Sequence, residues 1–97
     1  MYKRNMEAVE KLYQAILTLK NNEECALFFE DICTIQELET FAQRLEVAEN
    51  LSRGKSYQEV NKITGASTAT ISRVGKCINY GSGGYKMVID RLSEVER

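Results

Sequence analysis

The sequence predicts an all-α fold of about six short helices, two of them forming a helix-turn-helix. Three observations predict it. Apolar residues recur at three- and four-residue steps along most of the chain, and no period-two strand pattern occurs. Helix-start signals precede the apolar stripes. Thr34 with Glu37, and Ser56 with Glu59, each make a capping box, whose hydroxyl and carboxylate satisfy N–H groups that a helix start leaves unpaired. Gly54, Gly65 and the run Gly81-Ser-Gly-Gly84 fall where the stripes stop, and glycine readily closes a helix.

Each element follows from these signals. Met6, Val9, Leu12, Tyr13, Ile16 and Leu17 share one face and predict a first helix over about residues 3–20. Asn21-Asn22 breaks it, and Asn22 can cap a second helix through Phe28 and Phe29 to about Ile32. Behind Thr34, a long third helix carries Ile35, Leu38, Phe41, Ala42, Leu45, Ala48 and Leu51 on one stripe, and Gly54 ends it. Two helices over about 57–64 and 68–80 are hinged at Gly65, with Ser67 capping the second. Val60 and Ile63 before the hinge, and Ile71 and Val74 after it, can form one small apolar contact. The glycine run joins helix to helix, which suits a linker and not a phosphate cradle. A last helix over about 85–95 bears Val88, Ile89, Leu92 and Val95.

Ninety-seven residues predict one domain, 1–97, with the helix-turn-helix at about 56–80. No apolar run is long enough for a membrane span, and the first twenty residues are amphipathic and charged, unlike a signal peptide. A cytoplasmic protein with no membrane partner is expected. Cys25, Cys33 and Cys77 are odd in number and widely spaced, so they read as small buried hydrophobes in a reducing compartment. With no histidine, the chain lacks the commonest general base and metal ligand. No nucleophile-and-base pair can be named. The expectation is a non-enzyme without metal or cofactor.

The hinge segment points to DNA. Its shape, two short helices with small polar residues opening the second, is that of a DNA-binding helix-turn-helix. Charge agrees. Residues 1–52 hold ten acids and five bases, whereas residues 53–86 hold six bases and one acid, Glu59. A basic segment centred on the hinge suits phosphate contacts. Arg53, Lys55, Lys62, Arg73 and Lys76 are the candidates for those contacts. Ser67, Thr68, Ala69, Thr70 and Ser72 open the second helix and are left for base edges. Gln58, on the preceding helix, is the one long neutral donor–acceptor nearby and can bind adenine with two hydrogen bonds. A competing reading is a helical dimer that binds a protein partner and uses the hinge only for packing.

Leu51-Ser-Arg53-Gly54, Gly65-Ala66 and Ala69-Thr70-Ile71-Ser72-Arg73, with Thr34 to Arg44 in register, resemble the bacterial Trp repressor family. The likeness covers about residues 28–92 and is strongest to the shorter YerC/YecD-type Trp-repressor-related proteins. It implies an intertwined homodimer whose N-terminal helices wrap the partner, double-stranded DNA as ligand, and transcriptional regulation. It also places the two arginines of an effector pocket on Arg44 and Arg73, and a pocket threonine on Thr34.

The pattern departs elsewhere in that pocket. A glycine of the repressor is Val74 here, a serine is Cys77, and two leucines that line the mouth from the partner fall on Asp31 and Cys33. An effector other than tryptophan, or none, is expected. Arg44 and Arg73 equally fit an ion pair and a phosphate contact. The repressor's guanine-reading arginine falls on Gln58, so a different operator is expected.

Overall fold

The computed structural model describes residues 3–96, with side chains for residues 5–96. The described residues form helices only: α1 (Lys3–Ile16), α2 (Asn22–Ile32), α3 (Ile35–Ser52), α4 (Tyr57–Thr64), α5 (Thr68–Tyr80) and α6 (Gly84–Val95). None is long and apolar enough to cross a membrane. The chain makes two compact units, one up to Leu38 and one from Glu39.

In the first unit, α1 stops at Ile16, short of the expected residue 20. The amides of Thr18 and Leu19 bond back three residues, to Ala15 and Ile16, which tightens the last turn. The Thr18 hydroxyl also donates to the Ala15 carbonyl at 2.6 Å. The cap of α2 is Asn21 and not Asn22. Its side chain accepts the Glu24 N–H at 2.9 Å, and the Glu24 carboxylate accepts the Lys20 N–H at 2.9 Å. The Glu24 carboxylate thus reaches one residue beyond the cap, whereas Asn22 has Cys25 three residues on. Phe28 and Phe29 meet edge to face with centroids 5.6 Å apart, and α2 has no fully buried residue. Thr34 and Glu37 form the expected reciprocal cap at 2.8 and 3.0 Å.

The second unit holds the core. Val47 and Ala48 of α3, Val60 of α4, Ala66 of the turn, and Ile71 and Val74 of α5 expose at most 1 % of their surface. Leu51, Ile78, Tyr85 and Ile89 pack against them. The expected contact across the hinge forms with one replacement. Ile63 is half exposed, and Ala66 fills the core beside Val60. Gly65 has φ +73°, so the chain turns sharply after Thr64 and brings Ala66 under α4. Asn50 is the buried polar residue, and its Nδ2 donates to the Glu46 carbonyl at 2.8 Å. Its own carbonyl accepts from the N–H groups of Arg53 and Lys55.

The stripe expected on α3 is only partly covered. Ile35, Leu38 and Phe41 are exposed, and the buried residues are Val47 and Ala48. The cysteines also differ from expectation: Cys25 and Cys77 are exposed and Cys33 is half-buried.

The carboxyls of Glu37 and Glu59 lie below the ordinary value of 4.5. The first cause is the backbone N–H of each cap partner, Thr34 and Ser56, followed by its hydroxyl. Since the folded value is the lower one, this stabilisation is complete above 4.5 and is lost as pH falls through the lowered value. Both carboxyls are exposed, so solvent limits the effect. The urea midpoint is expected to drop between neutral pH and a pH well below 4.5. It should drop less in Glu59→Gln, whose amide can keep the cap but does not titrate.

Candidate nucleic-acid interface

Two serines start the helices of the hinge motif. Ser56 Oγ accepts the Glu59 N–H at 3.2 Å, and Glu59 Oε1 accepts the Ser56 N–H at 2.9 Å. Ser67 Oγ accepts the Thr70 N–H at 3.2 Å and donates to Thr70 Oγ1 at 3.1 Å. Two of the short residues expected to face a partner are therefore bonded to each other. Thr68 and Ala69, between them, are exposed.

Side chains also wire the turn. Asn61 Nδ2 donates to the Ala66 carbonyl at 2.8 Å. Thr64 Oγ1 donates to the Val60 carbonyl at 2.7 Å and accepts the Ala66 N–H at 3.1 Å. Ala66 is buried, so these bonds satisfy backbone groups that water cannot reach.

This turn brings Gln58 and Lys62 of α4 beside Thr68 of α5. With Tyr57 and Asn61 they line an open depression of about 560 Å³. Gln58 and Lys62 are four apart, so they share one face of α4. The other flank of α5 faces α3. There Ala69, Thr70 and Arg73 line a cleft of about 170 Å³ with Thr40, Gln43 and Arg44. The Arg44 guanidinium lies 6.0 Å from the Phe41 ring centroid, a cation–π distance. It makes no ion pair among the described residues, where Lys86–Asp90 at 3.0 Å is the pair found.

A model of the Trp repressor protein family matches residues 7–93. The chain belongs to the Trp repressor family. It is 52 % identical over 88 residues to the uncharacterized protein YerC of Bacillus subtilis (strain 168), covering 91 % of this chain and 85 % of that one. A TrpR-like protein from Eubacterium eligens ATCC 27750 superposes with a TM-score of 0.87 at 52 % identity, over 90 % of each chain. A Staphylococcus aureus structure carrying the Trp repressor name gives a TM-score of 0.88 at 42 % identity, over 96 % of this chain and 95 % of that one.

In this Trp repressor family chain, the expected site residues do not form one patch. Gln58, Lys62 and Thr68 share the depression, and Ala69, Thr70 and Arg73 share the Arg44 cleft. Ser72 is half-buried, Lys76 is exposed, and Arg53 and Lys55 lie at the turn after α3; none lines either hollow. Of the pocket candidates, Arg44 and Arg73 line the same cleft. Val74 does not join them, because its side chain packs in the core. Cys77 borders a separate apolar cleft with Leu45, Tyr85, Met87 and Val88. Thr34 belongs to the first unit and caps α3.

Tyr57, Asn61, Thr40 and Gln43 escaped the sequence reading. Helical spacing could have found them: Asn61 is four residues after Tyr57, and Gln43 and Arg44 are three and four after Thr40. Asn61→Ala removes the bond that ties α4 to the turn. It is expected to lower stability by about 1 kcal/mol, the usual size of one such bond, read as a fall in the urea midpoint.

Proposed function

We propose that the protein is a dimeric helix-turn-helix regulator of transcription that binds double-stranded DNA. One observation carries the reading: Gln58, Lys62 and Thr68 converge on an exposed depression beside the start of α5. That depression lies within the basic stretch of a chain that is otherwise acidic. The start of a recognition helix is where base edges are met. Lys62, Arg73 and Lys76, with Arg53 and Lys55, supply phosphate contacts. Gln58 reads a base. Thr68 and Ala69 touch thymine methyls, with Ser67, Thr70 and Ser72 close behind.

Two copies suit this role, because recognition helices about 34 Å apart enter successive major grooves. The exposed apolar residues support pairing. Leu17, Leu27 and Ile35 each expose more than three-fifths of their surface, and Phe41 about half. Light scattering at micromolar concentration is expected to give twice 11.1 kDa. The monomer mass would remove the dimer.

The Arg44–Arg73 cleft suits an anionic effector, since a guanidinium binds carboxylate with two bonds. Tryptophan is not the effector we favour. Cys77 stands where the repressor pattern has a serine, and it borders another cleft.

Selection of bound sequences from random duplex DNA tests the main reading and yields the site. On that site, Gln58→Ala is expected to cost roughly 1–3 kcal/mol of discrimination at one position per half-site. Lys76→Ala should weaken all sequences alike and lower the salt slope by about one. Equal loss on matched and mismatched sites in Gln58→Ala would make Gln58 a positioning residue. A binding partner insensitive to salt would favour the protein-interaction alternative.

A further inference from the structure

We infer that Tyr57 is a positioning residue for α5. Its ring stands beside Gly75 and borders the depression at the start of α5, so the room that Gly75 leaves sets where the ring stands and how the first turn of α5 is presented. The effect on readout rests on the DNA-binding function proposed above.

Gly75 sits in the interior of α5 and is buried. Glycine weakens a helix interior relative to alanine, so its presence there calls for a cause. Conformation is not the cause, because the glycines with positive φ are Gly54, Gly65 and Gly83. Space is. A Cβ at position 75 would lie 2.7 Å from the Tyr57 hydroxyl oxygen, too close for any real contact. The next neighbours, Tyr57 Cζ at 3.7 Å and Leu51 Cδ1 at 3.8 Å, are at ordinary van der Waals distance. One oxygen atom therefore accounts for the glycine.

Tyr57 is the first residue of α4, and 47 % of its surface is exposed. Its ring borders two hollows. On one side are Gln58, Lys62 and Thr68. On the other are Leu51, Gly75 and Ile78. The hydroxyl is the far end of a half-exposed side chain, so an atom added at position 75 is met by swinging the ring aside. That swing alters the depression that the ring lines with the proposed reading residues.

The test is a mutant cycle: wild type, Tyr57→Phe, Gly75→Ala and the double variant. Each is measured against the selected duplex, against random duplex, and by thermal unfolding. Gly75→Ala is expected to lose roughly tenfold of the specific-to-random ratio, the weight of one base contact. Tyr57→Phe should stay close to wild type. The double variant should recover most of the ratio, because phenylalanine lacks the clashing oxygen.

Equal losses in Gly75→Ala and the double variant overturn the inference. Recovery of the unfolding temperature with no change in the ratio anywhere makes the contact structural only, and also overturns it. If Gly75→Ala does not fold, the double variant decides: folded and discriminating supports the inference, unfolded overturns it. If wild type selects no duplex, the DNA reading fails and the readout role fails with it. The Tyr57–Gly75 contact is then judged separately, by whether Tyr57→Phe restores the unfolding temperature of Gly75→Ala.

Discussion

The close seating of α4 on α5 is the constraint on which the second unit depends. It is made by small side chains and a sharp turn. Gly65 takes a left-handed conformation that would cost most other residues about 1–2 kcal/mol. That turn drives Ala66 into the core beside Val60, Ile71 and Val74. Larger residues at Ala48 or Ala66 would wedge the helices apart, since a packed core has little spare volume. Gly75 belongs to the same arrangement. A glycine in a helix interior costs about 1 kcal/mol against alanine, and here it leaves room for the end of the Tyr57 side chain.

Local signals were legible in the sequence, and so was most of the contact across the hinge; longer-range placement was not. Both capping boxes could be read because their partners are three residues apart and need no other part of the chain. The asparagine pair was harder, since either residue can cap a helix. The difference lies in Glu24, whose N–H donates to the Asn21 side chain and whose carboxylate reaches back to the Lys20 N–H. The early end of α1 depends on Thr18 bonding back to Ala15, and a stripe of apolar residues carries no trace of that. Ile63 matched the spacing of a core residue but was displaced by Ala66, because the turn geometry, not periodicity, selects which residue faces inward.

The candidate site divides in the same way. Gln58 and Lys62 share a helix face through their spacing, and Thr68 follows once the hinge is recognised. Arg44 of α3 and Arg73 of α5 line one cleft, and only family likeness pointed to it. That likeness carried Val74 and Cys77 into the same pocket, where they do not lie. Val74 shows why. The apolar stripe of α5 already claimed it for the core, and a side chain buried among Val47, Val60 and Ile71 cannot also line a polar cleft.

The start of α5 then constrains how DNA could be read. Ser67 and Thr70 hydroxyls are bonded to each other and to the backbone, so using them on bases would compete with the cap. Ala69 has no polar atom beyond the backbone, and with Thr70 it lines the Arg44 cleft. Thr68 is the remaining exposed hydroxyl of that turn, and it is short. On the proposed function, the long neutral side chain near these base edges would come from α4, where Gln58 stands with Lys62. Discrimination would then depend on where α4 sits relative to α5, to within a fraction of a hydrogen-bond length. On the proposed function, packing between the two helices would act on readout directly, and residues that never touch a base would become part of the recognition surface.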